Sequence, residues 1–129
     1  MELVYALANK LPYASVQNSA GQFVDPTLAS VTAAAASARL DRNSDFRVSI
    51  TNAPGGTSYP IASFTWLLVK ADDPNPTKAK QIRDFLTWMV TPEAQKMAGA
   101  LGYAPLPPDV AALVGARIKT LRAGGKAIP

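Results

Sequence analysis

The side chains that carry most nucleophilic, imidazole-base and soft-metal chemistry are missing from this chain, which has no cysteine and no histidine in 129 residues. That excludes thiol nucleophiles, Cys/His zinc clusters, disulfide frameworks, haem axial histidines and every triad built on an imidazole base. A catalyst would have to use carboxylates, and the adjacent pair is Asp72-Asp73. A working pair faces across a pocket with its pKa values pushed apart by burial. Two neighbours at a strand-to-helix junction are explained instead by capping and loop solvation. The reading is therefore a non-enzyme, with no catalytic residue, no metal ligand set and no cofactor.

One segment has the composition of an anion cradle. In Asn52-Ala53-Pro54-Gly55-Gly56-Thr57-Ser58, two glycines let backbone N–H groups converge and two hydroxyls add donors. Gly55, Gly56, Thr57 and Ser58 are the weak candidate anion ligands. The segment lacks the Gly-Lys-Ser/Thr ending of a P-loop and opens no helix, because Pro60 and an apolar run follow. A plain connecting turn is the better reading on composition. Nucleic-acid binding would need aromatics interleaved with a basic stripe. Phe64 and Trp66 share a strand face with no such stripe and read as core, so no nucleic-acid partner is expected. Trp88 falls off the apolar stripe of its helix and reads as interface-facing.

Thirteen Lys and Arg against nine Asp and Glu give +4. From Asp109 onwards there is one acid against Arg117, Lys119, Arg122 and Lys126, which places most of the excess at that end. Such a patch could meet phosphates or acidic lipid; the preferred reading is that the bases complement the dipole at the end of a helix.

The elements that must position these groups follow from periodicity. With 48% apolar and 17% charged residues, the chain has the composition of one globular domain. No run reaches the ~20 apolar residues of a membrane span, and the first residues lack the basic and apolar regions of a signal peptide. Residues 3–10 read as a helical turn or two closing at Asn9. Residues 12–17 and 22–24 flank the turn Asn18-Ser19-Ala20-Gly21 as a β-hairpin. Asp25-Pro26 reads as N-cap and N1 of a helix over 26–38.

Phe46, Val48 and Ile50 alternate with polar residues as in a strand. Residues 59–70 read as a central strand buried on both faces towards its end. Asp72 to Thr77 stops it and starts a helix with Ile82, Phe85, Leu86, Met89 and Val90 on one face. Thr91-Pro92-Glu93 starts another, whose stripe Met97, Ala98, Leu101 runs to a C-cap at Gly102. A last helix begins near Pro108, its face carrying Val110, Leu113, Val114, Ile118 and Leu121, and Gly124-Gly125 ends it.

Taken in order, the segments are specific. Val4-Tyr5-Ala6-Leu7-Ala8-Asn9-Lys10-Leu11-Pro12-Tyr13-Ala14, Asn18-Ser19-Ala20-Gly21-Gln22-Phe23-Val24-Asp25-Pro26-Thr27, Ile50-Thr51-Asn52-Ala53-Pro54-Gly55 with Tyr59-Pro60-Ile61-Ala62-Ser63-Phe64-Thr65, and Leu101-Gly102-Tyr103-Ala104-Pro105-Leu106-Pro107 together resemble the C-terminal part of the PstS family, the periplasmic phosphate-binding proteins of phosphate ABC importers. The resemblance runs from Val4 to about Lys119. It implies an α/β, partial type II periplasmic binding protein fold with part of both lobes. Residues 1–58 would belong to the second lobe (hairpin, helix, strand) and residues 59–129 to the closing part of the first (strand and three helices).

It also implies inorganic phosphate and an ABC transporter permease as partners of the parent protein, and a periplasmic or extracytoplasmic location, although this chain shows no signal peptide. In the family, phosphate is held by a Thr-Gly-rich loop, a Ser and an Asp, and an Arg…Ser-Gly-Thr loop, all upstream of the segments matched here. No phosphate ligand therefore carries over, and the four loop residues 55–58 are not promoted to that role by the resemblance. The expectation is a fragment of a phosphate receptor, or alternatively a non-catalytic assembly module of the same half-fold without phosphate binding. A sheet cut between lobes leaves unpaired edges and an uncovered apolar face, so completion by self-association or by the missing N-terminal part is expected.

Overall fold

Hydroxyl, amide and proline residues set the helix starts in the computed structural model, which describes residues 2–129. Helix α1 (Leu3–Ala8) ends at Asn9, whose Nδ2 donates to the Tyr5 carbonyl at 2.9 Å. The left-handed residue that turns the chain is Lys10, at φ 52°. Strands β1 (Val16–Gln17) and β2 (Phe23–Val24) pair antiparallel with Val16 opposite Val24, across the turn expected from sequence.

Helix α2 (Leu28–Ala36) is shorter at both ends than the 26–38 expected, because Thr27 and not Asp25 caps it. Thr27 Oγ1 accepts from Ser30 N at 3.1 Å while Ser30 Oγ accepts from Thr27 N at 3.0 Å, a reciprocal box that satisfies two otherwise orphaned donors. Asp25 instead accepts from the Ser15 hydroxyl.

Two expected strands are not formed. Residues 46–50 and 59–70 carry no strand pairing; the links between the two stretches are Trp66 Nε1 donating to the Phe46 carbonyl at 2.9 Å and, just beyond the first run, Thr51 Oγ1 donating to the Ala62 carbonyl at 3.5 Å and Asn52 N to that of Pro60 at 2.7 Å. Nor is the second run buried on both faces: Leu68 is 98% exposed and Leu67 56%. A strand is a property of two chains of backbone, and alternation in one sequence cannot supply the neighbour.

Pairing occurs instead at Asp72–Asp73 (β3), where the sequence pattern predicts a stop between strand and helix. β3 lies parallel to β4 (Arg122–Ala123), and β4 antiparallel to β5 (Lys126–Ala127). Gly124 and Gly125, at φ 58° and 77°, make the two-residue turn between β4 and β5, where both central residues need positive φ. They serve a hairpin and do not end the last helix.

Between β3 and β4 run α3 (Pro76–Met89), α4 (Pro92–Ala100) and α5 (Pro108–Ile118). Asn75 Oδ1 caps α3 through Lys78 N at 3.0 Å, and Thr91 Oγ1 caps α4 through Ala94 N at 3.3 Å. Gly102, at φ 83°, carries the turn after α4. Of the terminal bases only Arg117 sits in the last turn of α5; Arg122 and Lys126 lie on β4 and β5.

The interior is built from small residues. Ala34, Ala35, Ile50, Ala53 and Ala62 form the buried cluster, with Val31, Ala38 and Phe64 packed against it. Many large apolar side chains face outwards, among them Phe85, Trp88, Met97 and Leu101, so the stripes read on α3 and α4 are only partly covered. The accessible surface is 8838 Å², against about 6,600 Å² for a folded monomer of this mass. The excess, roughly 2,200 Å², is more than the ~800 Å² that one partner contributes to a standard interface.

Candidate functional site

The glycine loop of residues 52–58 is organised by a side chain that the sequence reading treated only as a turn residue. Asn18 is 6% exposed. Its Nδ2 reaches the carbonyl oxygens of Gly55, Gly56 and Ser58 at 3.1, 3.0 and 3.2 Å. Its Oδ1 accepts from the backbone N–H groups of Ala20 and Gln22 at 3.0 and 3.1 Å. One amide thus closes the turn between β1 and β2 and fastens it to a loop some forty residues later. Its only sequence signal was the preference of Asn for turns; the long-range half leaves no mark in local pattern.

The candidate ligands lie in this loop as follows. Gly55, at φ 111°, lets its carbonyl and that of Gly56 turn towards the Asn18 amide. Ser58 is 2% exposed, and its hydroxyl donates to the Pro54 carbonyl at 2.8 Å. Thr57 is exposed at the tip. The loop is held further by Ser19 Oγ donating to the Ala53 carbonyl at 3.4 Å, Asn52 N to Pro60 O at 2.7 Å, and Tyr59 N to Ser30 O at 3.1 Å. The groups gathered at its centre are carbonyl oxygens around one amide donor pair, and oxygens repel an anion.

The carboxylate pair is also accounted for. Asp73, 7% exposed, accepts from Asn75 N at 2.9 Å and faces Lys78 Nζ at 3.8 Å. Asp72 accepts from Gly125 N at 2.8 Å. Both hold the ends of the three-stranded sheet, and neither looks across a pocket at another acid. The perturbed carboxyls lie elsewhere and are solvent-exposed: hydrogen bonds from the Arg47 backbone and guanidinium hold Asp45 below its ordinary value, and those from Lys80 and Arg83 do the same for Asp84. Among the described residues no group of three or more acids could hold a metal ion, and no helix is long and apolar enough to cross a membrane.

The remaining feature is an uncovered apolar surface. Ile61 is 69% and Trp66 46% exposed beside Leu67 and Leu68. On α3, Phe85 and Trp88 stack with centroids 5.9 Å apart, and both are exposed. An open groove of about 830 Å³ separates α2 from α4, lined by Ala29, Thr32, Ala33, Gly99 and Pro105.

No family model matches the chain. Curated relatives do. It is 39% identical over 110 residues to the phosphate-binding protein PstS of Xylella fastidiosa (strain 9a5c), covering 85% of this chain and 30% of the relative. It is 37% identical over 120 residues to the phosphate-binding protein PstS of Pasteurella multocida (strain Pm70), covering 93% and 35%. With that of Methanocaldococcus jannaschii the identity is 39% over 121 residues, covering 85% and 31%. The chain spans about a third of the length of these relatives.

Proposed function

From the premise that this chain matches part of the PstS phosphate-binding proteins, we propose that it is a framework section of a two-lobed receptor that captures inorganic phosphate outside the cytoplasm for an ABC importer. In this reading residues 1–58 complete one lobe and residues 59–129 the other, and the groups that grip phosphate lie in the sections of the receptor that this chain does not match. Gly55, Gly56, Thr57 and Ser58 hold the crossing between the two segments and are not ligands. The observation that carries this is the Asn18 amide, around which the loop turns three carbonyl oxygens inwards. A phosphate cradle needs the opposite polarity, converging N–H donors.

The excess surface favours a second reading, an assembly module of the same half-fold that associates without binding phosphate. Both agree on what this chain does alone, and calorimetry with inorganic phosphate tests that point. The expected result is no binding heat from a sample whose circular dichroism shows folded helices. Stoichiometric heat, abolished by Ser58→Ala or Thr57→Ala, would overturn the assignment of the loop.

A further inference from the structure

The fold gathers the excess of bases at one end of the molecule. Strands β3, β4 and β5 lie side by side, with Asp72 opposite Arg122 and Ala123 opposite Lys126. Lys70 leads into β3 and lines a small cavity with Asp73 and Arg122. Lys78, in the first turn of α3, reaches Asp73 at 3.8 Å, and Arg117 and Lys119 close α5 just before β4. All six bases are exposed. The two acids among them, Asp72 and Asp73, accept from the backbone N–H groups of Gly125 and Asn75 at 2.8 and 2.9 Å.

Six bases against two acids leave +4, which is the net charge of the whole chain; the other seven bases and seven acids cancel. The dipole of α5 accounts for Arg117 and Lys119 and leaves Lys70, Arg122 and Lys126 unexplained. Among the described residues Lys78 alone of the six forms an ion pair. Three strands span about 10 Å, close to the ~8 Å screening length at physiological salt, so these charges act outwards as one field. Such a face stays in water when further polypeptide packs on the chain. Burying five bases that have no carboxylate partner would strip their hydration without return, unlike the apolar run of residues 61–69, which a further section of receptor can cover.

We propose that this end is a docking surface for a bilayer carrying anionic phospholipid headgroups. It would give the receptor a membrane-facing side, and it does not depend on phosphate binding. The cavity among the bases is about 10 Å³, room for about one water, so nothing there is shaped to enclose a free phosphate or an inserted carboxylate. Four of the six bases are lysines, mobile point charges, whereas recognition of a protein's carboxylates favours the arginine fork. Arg122 gives one N–H of its fork to the Gly125 carbonyl at 3.0 Å. A spread of mobile charge of one sign suits a headgroup layer, which is itself spread and of one sign.

Vesicle co-sedimentation of the 129-residue chain tests this, on phosphatidylcholine alone and with about a quarter phosphatidylglycerol. The chain should bind the mixed vesicles at low salt at least about tenfold more strongly than the neutral ones, and leave them at about 0.5 M salt. Lys70, Lys119 and Lys126 form no ion pair among the described residues, so replacing all three by Gln should leave the circular dichroism unchanged. At about fivefold per base near a charged surface, that variant should bind about a hundredfold more weakly. Arg39→Gln, Arg42→Gln and Lys96→Gln together remove the same charge elsewhere and should cost less than about fivefold.

Equal binding to neutral vesicles would overturn the docking surface, marking adsorption through the uncovered apolar side chains. An equal loss in the two triple variants would also overturn it, leaving net charge as the cause. No binding to mixed vesicles at low salt would overturn it and assign the bases to an acidic protein. Release by inorganic phosphate beyond that by chloride at equal ionic strength would overturn it in favour of a phosphate site. Calorimetry with inorganic phosphate reads the receptor assignment separately, so each can fail without the other.

Discussion

Replacing Asn18 by alanine removes three of the four side-chain hydrogen bonds that join the first hairpin to the 52–58 loop, the fourth being that from Ser19 Oγ to the Ala53 carbonyl. The five contacts Asn18 makes are not equal. Ala20 and Gln22 are exposed and can give their N–H groups to water, and Gly55 and Gly56 can likewise solvate their carbonyls. Ser58 is 2% exposed, so its carbonyl, now 3.2 Å from the amide, loses its partner without gaining water. An orphaned buried group costs about 1–3 kcal/mol, and each solvent-replaced bond about 0.5 kcal/mol at the lower end of the net range. The expected loss is therefore about 3–5 kcal/mol. In a urea titration with a slope of about 1.5–2 kcal/mol/M it moves the midpoint down by about 2 M.

Hydrogen exchange should show where the loss falls, with the Ser58 and Tyr59 amides losing protection first, since they bond to Gly55 and Ser30 in the same knot. Asn18→Asp supplies the sign check. It keeps the acceptor but turns a second oxygen towards three carbonyls, so its folded pKa is raised. The variant should be at its weakest at neutral pH and regain stability as the pH falls through that raised value. A loss below about 0.5 kcal/mol for Asn18→Ala, within the range of an ordinary surface substitution, would refute the view that this amide holds the crossing.

Two further outcomes follow from local geometry. Gly102→Ala should destabilise by about 1–2 kcal/mol, because φ 83° suits glycine and a Cβ there would stand 3.2 Å from Val4 Cγ2; thermal melting on the Val4→Ala background should recover the steric part and leave the backbone part. Asp84, bonded to Lys80 at 2.5 Å and to Arg83 at 2.7 Å, should titrate by NMR below the ordinary aspartate value of 3.8. Because its folded pKa is depressed, what it adds to stability is present above the unfolded value and fades as pH falls through the folded one; a midpoint at or above 3.8 would contradict the ion-pair geometry.

The parts of this fold that were legible in the sequence are those decided within a few residues. Thr91-Pro92 and Asn18 to Gly21 announced a helix start and a hairpin because capping and turn chemistry are local. The helix over 76–89 was legible because its period extends over several turns. Asp25-Pro26 misled by one cap, since Thr27 offers the same chemistry two residues later with Ser30 in place to reciprocate. Gly124-Gly125 was ambiguous for a related reason: positive φ serves both a helix end and a two-residue hairpin, and only the strand partner β3, some fifty residues upstream, decides between them. The carbonyl-lined loop was illegible because its polarity is set by Asn18, and composition records which groups are present without recording which way they point.

Burial was the least legible property, and the reason bears on function. Periodicity reports which face of an element is apolar; it does not report whether anything lies against that face. Phe85 sits on the apolar stripe of α3 and Leu68 in the expected central strand, yet they are 55% and 98% exposed, while the covered interior is largely alanine. The same residues that make 59–70 read as a central strand make it an unsatisfied edge once no neighbour is at hand. A chain with large apolar side chains outside and small ones inside gains little from folding alone, because the ~25 cal/mol per Å² of buried apolar surface is left uncollected where it is greatest. Its stability should consequently rise with whatever polypeptide covers that face, by mass action on the folded state.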